Sequence, residues 1–415
     1  MTIKNRTSFL STIALMAGLS TAPAQAGDLA GDMNGIFQAL KDATPLVDLR
    51  LRYEGVDQDG KVEDADAVTF RARVGLESAA YHDTKILVEF EHVGDWVDDY
   101  NDTFNGKGQF PVVADPADTQ LNRLQLVNSS LPDTKVTIGR QRIILGDARF
   151  VGNVGWRQNE QTFDAIRVEN TSIDNLTIDV TYAEEVLRIF GSDSPKGQFD
   201  SESWFANATL DVPLDDAKLS VTGFAYMLDF DNAKASSSQT FGGVISGWKG
   251  NVGLKASYAA QSDYADQPVT YDESYYLIEA AYKINSLKLF AGYEVLTGDG
   301  VKGFATPLAT AHAFNGYADV FLATPGSGLE DIYGKAVYKF KKFGPFDSGK
   351  LVAIYHDFQA EATNQDFGTE LDLIAVANKG PLTFVAKYAG YDKDTFAADI
   401  DRLWLQVGFK LGKVK

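Results

Sequence analysis

Arginine is unevenly distributed along the chain. Beyond residue 26 there are twelve, eleven of them between Arg50 and Arg188, with only Arg402 beyond; the second half carries its positive charge on lysine. Several sit two apart: Arg50 with Arg52, Arg71 with Arg73, and Arg140 with Arg142. In an extended strand, residues two apart share one face. A guanidinium binds a planar carboxylate bidentately, so a wall of them suits a carboxylated solute. Leu49, Leu51, Phe70, Ala72 and Val74 take the opposite face. If that face meets lipid, the arginines must face inward, because a charge in the bilayer costs about 2–4 kcal/mol. Glu54, Glu77, Glu89 and Glu91 lie on the same or adjacent segments, Glu89 and Glu91 on one inward face. They could pair with the arginines and brace the wall. An anion path and a structural ladder are both open and not exclusive, since a sieve can be built from paired charges with one sign in excess.

Other candidate chemistry is weaker. Asp95, Asp98, Asp99 and Asp102 form an acidic stretch in an expected outer loop. Carboxylates so grouped could hold Ca²⁺, but the spacing fits no EF-hand loop, and a solvated acidic loop is the simpler reading. The four histidines, His82, His92, His312 and His356, sit in no Gly-x-Ser-x-Gly or His-Glu-x-x-His setting, so no enzyme is expected. There is no Cys, which excludes disulfides and thiolate metal sites, and no cofactor motif is present.

The elements that must position the arginines repeat from about residue 46 to the end. Runs of about ten residues alternate apolar and polar and are separated by Asp, Gly, Asn, Pro and Ser, the pattern of membrane barrel strands. In Leu403-Trp404-Leu405-Gln406-Val407-Gly408-Phe409, every second residue is apolar on one face. About eighteen such runs can be counted, starting near residues 46, 66, 84, 121, 134, 161, 175, 201, 216, 239, 250, 272, 286, 330, 347, 366, 381 and 399. Tight connectors at 83–84, 132–133, 174–175, 215–216, 285–286 and 379–380 alternate broadly with long ones at 95–120, 143–160, 185–200 and 298–329. The expected fold class is therefore all-β: a transmembrane antiparallel β-barrel with short periplasmic turns and long extracellular loops. Aromatics (18 Tyr, 26 Phe, 5 Trp) gather near strand ends, where a membrane interface would hold them. A soluble sandwich would need far fewer strands.

The first segment indicates the compartment. Lys4 and Arg6, an apolar run from Phe9 to Leu19, and Ala24-Gln25-Ala26 before Gly27 form the three parts of a secretory signal peptide over residues 1–26. No later apolar stretch is long enough for a membrane helix. The whole chain has 38 Lys+Arg against 57 Asp+Glu, net −19; loss of Lys4 and Arg6 makes it −21. Such a charge repels nucleic acid. Residues 27–45 form a leader, either mobile or a short helix with Met33, Ile36, Phe37 and Leu40 at helical spacing. Residues 46–415 are one barrel domain.

One stretch goes beyond pattern. Gly139-Arg140-Gln141-Arg142-Ile143-Ile144-Leu145-Gly146-Asp147-Ala148-Arg149-Phe150-Val151-Gly152, then Trp156-Arg157-Gln158-Asn159 and Thr162-Phe163-Asp164-Ala165, resembles the signature of the alginate-export family of outer-membrane barrels. Gly316-Tyr317-Ala318-Asp319-Val320-Phe321, Tyr355-His356-Asp357-Phe358 and Asp401-Arg402-Leu403-Trp404-Leu405 resemble family members more loosely. The resemblance implies an eighteen-stranded monomer with an arginine-rich pore for an anionic polyuronate. Arg140, Arg142, Arg149 and Arg157 fall on the motif and take the pore role from it. Arg50, Arg52, Arg71, Arg73, Arg123 and Arg167 rest on the face argument alone. Two features depart from the family pattern: the strongly acidic charge, and a last stretch, Gly412-Lys413-Val414-Lys415, without a terminal aromatic.

The expectation is a channel in a Gram-negative outer membrane, set among lipid and lipopolysaccharide, passing anionic solutes such as carboxylated saccharides, with possible periplasmic partners. The alternatives are a weakly selective general porin with a braced lumen, and a structural or adhesive surface barrel.

Overall fold

The computed structural model describes residues 26–412. The expected signal peptide falls on residues 1–25, outside the described residues, apart from Ala26. A helix, α1 (Ala26–Lys41), is followed by eighteen strands. The first nine are β1 (Thr44–Gln58), β2 (Ala65–Glu77), β3 (Thr84–Asp99), β4 (Asp118–Asn128), β5 (Thr134–Gln141), β6 (Thr162–Ile173), β7 (Leu176–Leu187), β8 (Gln198–Val212) and β9 (Ala217–Leu228). The others are β10 (Ser238–Lys249), β11 (Val252–Ser262), β12 (Asp272–Ile284), β13 (Leu287–Leu296), β14 (Leu329–Phe340), β15 (Ser348–Gln359), β16 (Asp366–Lys379), β17 (Leu382–Lys393) and β18 (Ile400–Leu411). Every expected strand start lies within three residues of an observed one.

Each strand pairs antiparallel with the next, and β18 pairs with β1, so one sheet closes on itself and has no free edge. Closure gives every strand a hydrogen-bonded neighbour on both sides, which is what a membrane-spanning sheet requires. No described helix is long and apolar enough to cross a membrane. The outward positions are apolar and exposed, among them Val74, Phe90, Leu254, Ile278, Ile332, Leu351, Leu373 and Leu405. Exposed aromatics ring the two ends of this belt: Trp96, Trp204, Phe241, Tyr293 and Tyr355 toward the long loops, Tyr282 and Tyr338 toward the short turns. This is the surface a bilayer covers.

The core lies inside the barrel. Phe163, Phe205, Tyr275, Phe304, Leu308, Phe358, Tyr391 and Trp404 are buried there together. The long connectors 142–161 and 297–328 supply part of that core, so they fold inward. Gly152 N–H donates to Leu308 O (2.9 Å) and Thr310 N–H to Ala148 O (3.0 Å), joining the two segments to each other.

The acidic stretch expected in an outer loop is for the most part strand. Asp95, Asp98 and Asp99 belong to the end of β3 and only Asp102 lies in a loop, because the strands run past the belt on the long-loop side. Asp98 pairs with Lys107 (2.7 Å), and Asp102 accepts the N–H groups of Phe104 and Asn105. Among the described residues no group of acidic or His side chains is arranged to hold a metal ion.

Candidate functional site: the lumenal constriction

The spacing of the arginines does what a strand dictates. Arg52 and Arg71 are fully buried and Arg73 nearly so, while Leu51 and Val74 are exposed on the other face. The register places Arg50 directly opposite Arg71. Like charges opposed across two strands repel, and the two side chains part. Arg71 turns to Asp48 (2.6 Å). Arg50 reaches across the lumen and donates to the carbonyls of Gly155 (3.1 Å), Trp156 (2.8 Å) and Arg157 (3.1 Å). Arg52 adds a bond to Trp156 O (2.6 Å) and a contact with Asp115 (3.4 Å). Arg73 on β2 donates to Gln158 O (3.2 Å), so the first two strands grip the inward loop 142–161 by its backbone.

The other predicted arginines are paired. Arg73 bonds Glu91 and approaches Glu160 (3.3 Å), and Arg123 takes both oxygens of Glu89 (2.8 and 2.9 Å). Arg140 takes both oxygens of Asp164 (2.8 Å each), Arg142 pairs with Glu160, and Arg167 with Asp179. Arg149 pairs with Glu294 (2.8 Å). Arg157 bridges Glu54 (3.0 Å) on β1 and Asp319 (2.6 Å) on the other inward loop; Arg402 shares Glu54 (3.1 Å). Burial works against a charge on Arg157, but Glu54, Asp319 and Asp115 outweigh it and raise its pKa. Burial likewise pushes the Glu160 carboxyl up, and Arg73 and Arg142 more than reverse this, holding it well below the usual range. Of the two arrangements the sequence left open, a free guanidinium wall and an ion-paired brace, the structure is largely the brace: Glu54, Glu89 and Glu91 take arginines, while Glu77 takes Lys85 (3.0 Å). Of the acids that complete it, Asp164 and Asp179 stand on the strands next to their arginines, Glu160 and Asp319 lie on segments that read as loops, and Glu294 is 145 residues from Arg149.

The residues that carry the sequence motifs converge at one level of the lumen. Gly139, at φ +118°, lets β5 pass close to β4; a Cβ there would sit 2.2 Å from Leu124 O. Trp156 lies edge-on to Trp404 and stacks on His312. Lys387, on the wall strand β17, projects into the same cluster. Its ammonium lies 3.2 Å from the Tyr317 ring centre, 4.2 Å from Trp156 and 4.9 Å from Trp404. It donates to Nε2 of His312 (2.6 Å), whose Nδ1–H donates to Asp319 (2.6 Å). Burial pulls the His312 imidazole down to about 3, which keeps it neutral with Nε2 free to accept. On the β14–β16 side the loop docks on acids: Ala318 N–H donates to Glu370 (2.7 Å), and Asn315 bonds Glu294 and Asp331. Cations line β1, β2, β17 and β18; Asp331, Glu370 and Asp372 line the adjoining stretch of wall, on β14 and β16.

Above the constriction a cavity of about 720 Å³ opens between the long loops. Its charged lining is Arg157, Arg188, Lys196 and Arg402 against Asp319. Arg188 packs over Phe199 (4.2 Å) and Phe190 (4.7 Å) and donates to Lys196 O (3.3 Å). No carboxylate among the described residues pairs with it, and burial alone pulls its pKa down to about 10. Below the constriction, Lys288 and Lys335 face inward over Trp248 (4.8 Å) and Phe290 (5.5 Å), with no ion pair among the described residues. The lumenal cations without a carboxylate partner among the described residues thus include Arg50, held by backbone carbonyls, Arg188, which is outside the predicted set, and the inward lysines Lys288 and Lys335. Arg188 is in no spaced pair and no motif; its one signal is an aromatic neighbour, Phe190, in a stretch without a nearby acid. No described histidine bonds a serine: His92 meets Thr119, His312 meets Asp319 and Lys387, and His356 meets Asp331 and Asp372.

No family model matches the sequence. No curated protein matches it either. The fold, by contrast, is shared with solved outer-membrane channels. OpdG of Pseudomonas aeruginosa is similar at 17% identity and a TM-score of 0.68, over 90% of this chain and 99% of that one. A BenF-like porin from Pseudomonas fluorescens is similar at 15% identity and 0.68, over 89% and 99%. OpdK of Pseudomonas aeruginosa, in its structure with vanillate, is similar at 14% identity and 0.66, over 89% and 99%. The chain has the closed eighteen-strand fold of outer-membrane porins.

Proposed function

We propose that the protein is an outer-membrane channel selective for small anionic solutes, carboxylates above all. The observation that carries this reading is Arg188, a charged side chain in an apolar setting with no anionic partner among the described residues, on the lining of a vestibule where bases outnumber acids. A carboxylate supplies the missing partner. Lys288 and Lys335 continue unpaired positive charge below the constriction. Buried N–H donors without acceptors stand on Arg71, Arg402, Trp156 and Trp404. One of the structural neighbours was solved with vanillate, itself a carboxylate.

A polyuronate is the finer reading that the family resemblance implies. Two features favour a small solute over a polymer: loops 142–161 and 297–328 cross the lumen, and most guanidinium groups are held by protein carboxylates. The test is a planar bilayer under a KCl gradient. Anion-side reversal with current block by a simple monocarboxylate such as benzoate, and none by an oligouronate, is the expected result. Block by the oligouronate alone would restore the polymer reading. Cation-side or neutral reversal without block would leave a general porin with a braced lumen.

A further inference from the structure

Helix α1 has two faces of opposite character. Asp32, Gly35 and Ala39 share one of them and meet the turn 78–83 between β2 and β3. Tyr81 donates its hydroxyl proton to Asp32 (2.8 Å), and Ala79 N–H donates to Ala39 O (3.0 Å). A Cβ on Gly35 would overlap the Tyr81 ring at 2.1 Å, so the helix lies flush against the turn. At 100° per residue, Met33, Ile36, Phe37 and Leu40 form a second stripe, centred roughly 120° round the helix from the docked one. All four are exposed, by 51, 41, 55 and 46% respectively. They carry no charge, and no described part of the chain covers them. Four large apolar side chains on one stripe facing water is an arrangement that folded proteins avoid.

The helix sits where the apolar belt of the barrel ends. Leu76 on β2 and Ile86 on β3, exposed on the outward face, flank the turn that receives it. The turn that holds the helix therefore borders a surface that lipid already covers. An amphipathic helix held at that level lies in the plane of the interface with its apolar side in the acyl boundary. We propose that α1 is an interfacial lipid anchor at the periplasmic rim, with Met33, Ile36, Phe37 and Leu40 inserted in the inner leaflet. Its docking on Tyr81 fixes the depth. The inference rests on the outer-membrane reading of the barrel and adds a second membrane contact to it.

The chain has no native cysteine, so single cysteines can be placed without background. Nitroxide labels at Phe37→Cys, Gln38→Cys and Leu405→Cys would be measured in the full chain reconstituted in phosphatidylethanolamine–phosphatidylglycerol vesicles. Relaxation by oxygen, which concentrates in lipid, is compared with relaxation by nickel ethylenediaminediacetate, which stays in water. The expected result is oxygen dominance at Phe37→Cys and Leu405→Cys and nickel dominance at Gln38→Cys. Nickel dominance at Phe37→Cys with oxygen dominance at Leu405→Cys overturns the anchor and leaves the barrel reading intact. Shielding of Phe37→Cys from both reagents also overturns it, and points to cover by a second copy. Nickel dominance at Leu405→Cys would overturn the membrane reading itself.

Discussion

The ammonium of Lys387 lies 2.6 Å from Nε2 of His312. The first residue is on the barrel wall and the second on the inward loop 297–328, and Trp156 of the other inward loop closes over both. One side chain therefore ties two loops and the wall together. A buried ammonium is tolerable here because three aromatic faces and a neutral imidazole replace its water.

Lys387→Met is expected to loosen the constriction. It removes the donor to His312 and empties the space between Tyr317 and Trp404. The change should cost about 3 kcal/mol, in the range for breaking a buried charged contact, and should raise open-channel noise. Thermal denaturation and single-channel recording check both. Lys387→Arg should restore little, since a planar guanidinium does not fit a site built around a compact ammonium.

Acid should weaken the same region. His312 is held down to about 3 by burial, whereas an imidazole in the unfolded chain titrates near 6.5. The folded pKa is the lower one, so this contribution is complete above about 6.5 and is lost as pH falls toward about 3. Melting temperature should decline over that window in the wild type and decline less in His312→Gln. Equal slopes would remove His312 from the explanation.

Arg157→Ala should be among the most damaging substitutions in the lumen. It leaves Glu54 and Asp319 buried with a main cation gone. A loss of about 3–5 kcal/mol is expected. Glu54→Gln in the same chain should recover part of it, and a double-mutant cycle on the two positions measures the coupling.

Gly139→Ala tests the close approach of β5 to β4. The left-handed φ and the 2.2 Å contact with Leu124 O leave no room for a methyl group. Refolding yield should fall sharply, while Gly223→Ala, with nothing near its added Cβ, should refold as the wild type does.

The barrel was legible in the sequence because its determinants are local. Alternation, turn residues and connector length each act within a few residues, and they located every strand. The facing of Arg52, Arg71 and Arg73 followed from the same period of two. The pairing of the arginines followed only in part: Glu54, Glu89 and Glu91 were visible as partners, but not which arginine each would meet. Arg157 meets Glu54 across 103 residues and Arg50 meets Trp156 O across 106, and no local rule spans such gaps. The inward path of loops 142–161 and 297–328 was also hidden, since a long polar connector reads the same whether it faces water or folds into a lumen. Motif residues Trp156, Arg157, Tyr317, Asp319, Arg402 and Trp404 do gather at the constriction. They marked the structure of the constriction rather than a row of free cations, while Arg188 and the inward lysines went unmarked.

The central claim is that unpaired charge, not total arginine, sets the selectivity. The direct measurement is the reversal potential under a tenfold KCl gradient for Arg188→Ser, for Arg140→Ser with Arg142→Ser, and for the wild type. Arg188→Ser should shift the potential toward the cation side by more than the paired substitutions do, because Asp164 and Glu160 already neutralise Arg140 and Arg142. An unchanged potential in Arg188→Ser, with a large shift in the double variant, would contradict it and return the anion path to the arginine wall.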